Sequence, residues 1–341
     1  MSDHAMNNRK DKILGTLYGM AIGDAMGMPS ELWSRKKVKA YFGKIDTFLD
    51  GPESNEVARN FTKGQYTDDT TQALLILDAL IENQFRPDDR IIANKLIAWA
   101  DKTNAFENDI LGPSSKAALL AVKKGEDASD VTARAVTNGA AMRIAPIGCL
   151  FTPEDEKDLV DYVWKVSKVT HTSDVAIAGA SMIAIAVSAA CEGRNWDEII
   201  DYTMNVYDTA ILYGAETFSP SLKARLKLGL TYVEEFAHDE EAFTKQIYDV
   251  IGTGVATSES VPAALSIAYY AKTVERCALL CANIGGDTDT IGAMATAICG
   301  AKQGATNIDP AWIRQIDQSN SVNMGKYADQ IVTYQNTLKW R

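Results

Sequence analysis

Histidine is almost missing from this 341-residue chain, which has three, at His4, His171 and His238. That scarcity speaks against a zinc site and against Ser-His-Asp or Cys-His catalysis, which need imidazole at the reacting centre. The five cysteines, Cys149, Cys191, Cys277, Cys281 and Cys299, include no CxxC pair. An odd count without such pairs fits a reducing compartment. Cys277 and Cys281, four apart, are expected to share one helix face as small apolar residues. Clustered basic charge is also lacking. With a net charge of −11 the chain has no surface of the kind that neutralises nucleic-acid phosphates. The polar stretch 1–12 has no signal-peptide core. The longest uncharged run, between Asp174 and Glu192, is built largely of Ala, Ser and Gly. It is short and weakly apolar for a membrane span and reads as a buried helix. A cytoplasmic protein with neither membrane nor nucleic acid as partner is expected.

Strand signals are scarce too. Beta-branched runs with strict alternation are few, and no strand-helix-strand rhythm appears. Helical patterns recur instead, at about 9–28, 73–81, 88–103, 114–124, 127–136, 156–168, 174–191, 195–207, 221–235, 240–251, 259–283, 288–303 and 310–336. The class is all-α. No linker divides the chain, so a single multi-helix domain over 1–341 is expected, with 1–8 disordered and 34–65 a long loop. A loop of that length in a compact domain is functional or disordered.

What is present concentrates at helix starts. Asn283-Ile-Gly-Gly-Asp-Thr-Asp-Thr290 leads into an apolar run, and Tyr66-Thr-Asp-Asp-Thr70 leads into another. Each offers two carboxylates with hydroxyls beside them. Capping needs one such residue per helix. Two adjacent divalent cations need roughly the set that both motifs supply together, with water filling the remaining positions. Because the motifs are far apart in the chain, a shared site requires both ends to fold together. Gly15, Gly19, Gly23 and Gly27 recur every four residues and line one helical stripe. Each helical glycine costs about 1 kcal/mol relative to alanine, so close approach of another helix or a ligand must compensate. Asp24 lies inside that stretch, and Glu31 follows it. Asn138-Gly139 is a turn signal whose following N–H groups could hold a phosphate. Arg143 amid apolar residues requires a carboxylate partner or a functional contact. His171, just before the most apolar helix, is either a cap, a satisfied core residue or a ligand contact.

In this order the motifs resemble the ADP-ribosylglycohydrolase family. The match runs through Gly19-Met-Ala-Ile-Gly-Asp-Ala-Met-Gly27 with Glu31, Tyr66-Thr-Asp-Asp-Thr70, Gly112-Pro-Ser114, Asn138-Gly-Ala-Ala-Met-Arg-Ile-Ala-Pro146, Thr170-His171 and Asn283-Ile-Gly-Gly-Asp-Thr-Asp-Thr290. The resemblance implies an all-α fold around two magnesium ions, or manganese, held by Thr67, Asp68, Asp69, Asp287, Asp289 and Thr290. It implies that Glu31 lies on a flap near the metals, that Asn138 and Gly139 cradle a diphosphate, and that His171 lies close to a bound nucleotide. Ser114 and Met142, in matching segments, become further substrate contacts. Asp109 corresponds to an acid implicated in catalysis in one branch. The expected chemistry is hydrolysis of an N- or O-glycosidic bond to ribose, with Asp69 or Glu31 accepting the proton of the attacking water. The expected substrate is an ADP-ribosylated protein or a small ADP-ribosyl acceptor. A nucleoside or other small riboside is the alternative, and a nucleotide phosphohydrolase or a non-catalytic ADP-ribose binder are further ones. Residues 30–66 and 205–222 are the loops expected to set the aglycone.

Overall fold

The computed structural model describes residues 3–108 and 110–338. Its helices in chain order begin with α1 (Asp3–Gly27), α2 (Arg35–Phe42), α3 (Asp68–Glu82), α4 (Asp89–Lys102), α5 (Pro113–Lys123) and α6 (Ser129–Ala133). They continue with α7 (Gly139–Met142), α8 (Ala145–Gly148), α9 (Glu156–Ser167), α10 (Asp174–Cys191), α11 (Trp196–Ala210) and α12 (Leu222–Glu235). The last are α13 (Glu240–Gln246), α14 (Thr257–Ala271), α15 (Val274–Ile284), α16 (Thr288–Gln303), α17 (Pro310–Asn320) and α18 (Met324–Leu338). No strands occur among the described residues, so the all-α expectation holds. One continuous core joins the buried faces of these helices.

The glycine stripe of α1 explains how the two ends of the chain meet. A Cβ on Gly15, Gly19, Gly23 or Gly27 would lie 2.1, 2.4, 2.0 or 2.4 Å from the carbonyl oxygen of Gly300, Thr296, Gly292 or Thr288 on α16. Cβ groups on Gly292 and Gly300 would in turn strike Gly23 and Gly15 oxygens at 2.3 and 1.9 Å. The two backbones lie in direct contact, and no residue larger than glycine fits at Gly15, Gly19, Gly23, Gly27, Gly292 or Gly300. At its end, the Thr288 hydroxyl donates to the Gly27 carbonyl (2.7 Å). Helix α10 passes through the middle of the core, buried from Val175 to Cys191. It is long and apolar enough to cross a membrane, yet other helices cover all of it.

The structure corrects several boundaries. Residues 3–8, expected to be disordered, extend α1, whose start is pinned by chain far away in sequence. Lys10 pairs with Asp329 (2.6 Å), Arg9 pairs with Glu192, and Met6 Sδ accepts from Asn336 (3.5 Å). The loop 34–65 contains α2, capped by the Ser34 hydroxyl, which accepts from Lys37 N (3.2 Å). Its single buried residue, Val38, leaves no apolar stripe to read. The pattern at 259–283 is two helices, broken where Lys272 turns left-handed (φ 64). The pattern at 310–336 breaks likewise at Ser321 (φ 50). In both cases a two- or three-residue break separates the helices. Cys277 and Cys281 are buried together on α15, as expected.

Candidate metal centre

Helix α3 begins without capping itself. Thr67 occupies its N-cap position, but its side chain makes no bond to the first turn. The cap comes from α1. Asp24 Oδ1 accepts from Thr67 N (3.0 Å) and Thr67 Oγ1 (2.8 Å), and Oδ2 accepts from Thr70 N (3.1 Å) and Thr70 Oγ1 (2.7 Å). Helix α16 repeats the theme, because Asp287 at its N-cap makes no cap bond either. Asp287 Oδ2 accepts instead from Asn138 Nδ2 (2.6 Å), whose amide also reaches Ser260 Oγ (3.0 Å). Plain capping therefore does not account for the acidic helix starts. The approach to α16 uses Gly285 and Gly286 at φ 87 and 86, where a side chain on Gly286 would strike Thr253 O at 2.3 Å. This path lets Gly286 pair with the chain after Glu31, through Leu32 N to Gly286 O (2.7 Å) and Gly286 N to Trp33 O (2.8 Å).

The α1–α16 crossing and the two helix starts converge on a knot of carboxylates. Thr290 Oγ1 donates to Asp69 at 3.1 and 3.2 Å from its two oxygens, and Thr67 Oγ1 lies 3.1 Å from Asp289 Oδ2. One oxygen from each of Asp24, Asp69 and Asp289 falls within 4.8 Å of the others, and the same holds for Glu31, Asp287 and Asp289. Asp289 belongs to both groups, and its Oδ1 is buried with no hydrogen-bond partner. Such an oxygen is costly unless a cation or proton meets it. Burial is the first cause that pushes every acid here upward. Asp24 moves to about 6 against the pull of its Thr70 and Thr67 bonds. Asp68 moves to about 8, with the Asp24 and Asp287 charges adding to burial. Glu31, Asp69 and Asp289 lie well above the ordinary carboxylate range, raised first by burial and then by neighbouring carboxylates, led by Asp287 for Glu31, Asp24 for Asp69 and Glu31 for Asp289. Asp287 is also raised by burial, though Asn138 opposes it. Hard oxygen donors in two overlapping groups, which share Asp289 and its orphaned oxygen, fit divalent cations.

A cavity of about 440 Å³ lies over these groups, with Glu31, Asp68, Asp69, Asp287, Asp289 and Thr290 in its wall. Ser115, Lys116, Asn138, Gly139 and Met142 line it as well. Of the residues singled out from sequence, Thr67 stands just behind this wall. Ser114 and His171 also lie outside the lining. Ser114 accepts from Thr137 Oγ1 (2.7 Å), while its neighbour Ser115 faces the cavity. His171 is wholly buried beneath Gly139, where a Cβ would meet its ring at 2.7 Å. Burial, with the Arg143 charge second, pushes His171 down to about 3, so the ring is neutral. Arg143 is buried without a carboxylate in direct contact. Its Nη1 donates to Gln72 Oε1 (2.8 Å) and its Nη2 to Thr170 Oγ1 (2.6 Å). Gln72 passes the contact on to Asp68 Oδ2 (3.2 Å). Asp109 lies outside the described residues.

In the sequence Asp24 stands out only as a member of the glycine stretch, although a lone carboxylate between Gly23 and Ala25 is its signal. Ser260, and Asn55, whose amide holds the carbonyls of Pro29 (3.2 Å) and Glu31 (3.0 Å), left no such trace.

Comparison with known proteins agrees with this geometry. The ADP-ribosylglycohydrolase family model matches residues 5–339. The uncharacterized protein YegU of Escherichia coli strain K12 is 46% identical over 96% of this chain and 98% of its own. ADP-ribosylhydrolase ARH3 of Xenopus tropicalis is 26% identical, covering 87% of this chain and 89% of its own. ADP-ribosylarginine hydrolase Tri1 of Pseudomonas putida (strain GB-1) is 23% identical, covering 92% of this chain and 76% of its own. A solved structure titled ADP-ribosylglycohydrolase-related protein complex shares the fold, with a TM-score of 0.72 at 22% identity over 96% of this chain and 99% of that one. Carboxylates gathered by one helix crossing, in a chain matched almost end to end, mark this protein as a member of the ADP-ribosylglycohydrolase family, a hydrolase of glycosidic bonds.

Proposed function

We propose that this protein is a Mg²⁺-dependent hydrolase that removes ADP-ribosyl groups from a protein side chain or a small acceptor, with Mn²⁺ as the alternative metal. The observation that carries the reading is the pair of carboxylate groups sharing Asp289, each within 4.8 Å, at the wall of a 440 Å³ cavity. Asp24 and Glu31 would join Thr67, Asp68, Asp69, Asp287, Asp289 and Thr290 around two cations. Bound there, the cations supply positive charge that orients sugar hydroxyls and makes water more acidic.

The protein's own groups then divide the work. Asp69 accepts from Thr290 and sits near Thr67, fully buried. Glu31 is half-buried, on a segment held by Asn55 and Gly286, with its carboxyl at the cavity wall. Glu31 is therefore the better base. It takes a proton from the attacking water as the water oxygen bonds to the anomeric carbon. The bond to the aglycone breaks with its electron pair, and the proton returns to the departing nitrogen or oxygen. Neighbouring carboxylates stabilise the positive charge that develops on the sugar. Asn138 and Gly139, beside Asp287, position the phosphate-bearing part, and Lys116 offers a cation at the same cavity. The free cysteines, all buried, suit the reducing cytoplasm as its setting.

The test is product analysis of the purified protein with Mg²⁺ on ADP-ribosylated peptides, ADP-ribose derivatives and nucleosides. Release of free ADP-ribose supports the reading. Inorganic phosphate as the product, or release from nucleosides alone, sinks it. Asp68→Ala and Asp287→Ala should each lower turnover about 100-fold or more while remaining folded.

A further inference from the structure

Arg143 is 1% exposed, and among the described residues no carboxylate pairs with it directly. A buried guanidinium is costly unless its charge and its donors are put to use. It can only donate, so Gln72, fully buried beside it, must turn Oε1 toward Arg143 Nη1 (2.8 Å). Gln72 Nε2 is thereby left to face Asp68, one turn earlier on α3, where it donates to Oδ2 (3.2 Å). With the amide turned the other way, two acceptors would meet at Asp68. The guanidinium thus decides how Asp68 is held without touching it.

One short helix serves both halves of the carboxylate centre in this way. Arg143 follows the last residue of α7, and Asn138 precedes its first. Asn138 Nδ2 donates to Asp287 Oδ2 (2.6 Å) at the start of α16. The two ends of a single helical turn therefore hold the two acidic helix starts. The carboxylates of Asp24, Glu31, Asp68, Asp69, Asp287 and Asp289 outnumber the positive charges of two divalent cations. A guanidinium behind them is drawn to the centre even when it is filled.

We propose that Arg143 is a positioning residue for the cation site: through Gln72 it fixes the carboxylate of Asp68, and with Asn138 it keeps Asp68 and Asp287 in register before a cation arrives. The inference deepens the metal-dependent hydrolysis proposed above and rests on it.

Calorimetric titration of the full-length protein with Mg²⁺ tests it without requiring turnover. Gln72→Met keeps the length and removes the amide. Arg143→Lys keeps the charge but offers one nitrogen where two reached Gln72 and Thr170. Each should weaken Mg²⁺ binding about 10- to 100-fold. The double variant should match the weaker single one to within about twofold, because both changes break the same relay. Thr170→Val removes the other contact of the guanidinium and controls for lost stability, so its Mg²⁺ affinity should stay within about threefold of wild type. Should Gln72→Met fail to fold, Gln72→Asn, too short to span from Arg143 to Asp68, replaces it. Wild-type affinity in the Gln72 and Arg143 variants, losses that add in the double variant, or an equal loss in Thr170→Val overturns the positioning role and leaves the hydrolase reading standing. A wild-type protein that binds no Mg²⁺ removes the cation site itself, and both readings with it.

Discussion

Asp24 on α1 and Thr67 at the start of α3 are joined by two hydrogen bonds, from Thr67 N (3.0 Å) and Thr67 Oγ1 (2.8 Å) to the same carboxylate oxygen. With the matching pair from Thr70, one buried acid from the first helix caps another helix and turns Asp68 and Asp69 toward α16. Asp24→Asn would place an amide N–H₂ against two of these donors. We expect a loss of about 1.5–3 kcal/mol of stability, the range for hydrogen bonds to a charged group. Mg²⁺ affinity should fall about 10- to 100-fold, as when a partner that orients metal ligands is removed. Denaturant unfolding and calorimetric titration check the two effects, and wild-type values in both would remove Asp24 from the centre.

The crossing of α1 and α16 makes a separate prediction. Gly23→Ala drives a methyl to 2.0 Å from the Gly292 oxygen, and backbone cannot rotate out of the way as a side chain can. Overpacking of this kind costs about 1–3 kcal/mol, and more where backbone must move. Gly112→Ala is the control, since nothing lies within 4 Å of its added carbon and its φ is negative. A fall in unfolding midpoint for Gly23→Ala alone is the expected result; equal stability in the two variants would show that the helices separate easily.

The contrast between these glycines shows what the sequence made legible. The four-residue spacing of Gly15, Gly19, Gly23 and Gly27 announced a close approach, and the paired acids at 67–69 and 287–290 announced oxygen chemistry. Both signals survive because one local pattern states them. The partner of the stripe could not be read. Gly292, Thr296 and Gly300 look like ordinary members of an apolar helix until α1 lies on them. Asp24 escaped for the same reason, because its donors are more than forty residues away. The helix breaks at Lys272 and Ser321 escaped because a left-handed residue carries no signature when it is neither glycine nor asparagine. Short α7 and α8 are fixed by burial on both sides and not by an amphipathic period.

Charge at the centre sets a pH dependence. Asp24 and Asp68 titrate near 6 and 8 in the folded chain, above the value of about 3.9 expected of an unfolded aspartate. A raised folded value means that the folded state holds protons more tightly. Stability from this source is fully present below about pH 4 and is lost as the pH rises through 6 and then 8. The chelated protein should therefore melt at a lower temperature at pH 8 than at pH 6. Added Mg²⁺ competes with those protons, so its stabilisation should grow over the same window. Melting curves with chelator and with Mg²⁺ at both pH values decide this. A metal effect independent of pH would mean that cations do not bind these carboxylates.

His171 carries the opposite sign. Its folded value near 3 lies below the usual 6.5, so its contribution is present above about pH 6.5 and fades as the pH falls toward 3. Burial keeps the ring neutral, and a one-way chain of donors sets its tautomer. Arg143 Nη2 donates to Thr170 Oγ1 (2.6 Å), which leaves the Thr170 hydrogen to reach His171 Nδ1 (2.7 Å). The ring proton then sits on Nε2, facing Thr137 Oγ1 at 3.4 Å, and Thr137 donates to Ser114 Oγ (2.7 Å). Thr170→Val keeps the shape and removes both roles of the hydroxyl, leaving a buried guanidinium N–H without its acceptor. The cost should be about 1–3 kcal/mol, rising because the group is charged. Thr170→Ser should recover most of it, because the hydroxyl is restored and only a methyl is lost. Nitrogen-15 spectra of the ring should show the neutral Nε2–H form unchanged from about pH 8 to 5 in the wild type. A His171 signal that titrates near 6.5, or Thr170→Ser as unstable as Thr170→Val, would break the chain of donors at its centre.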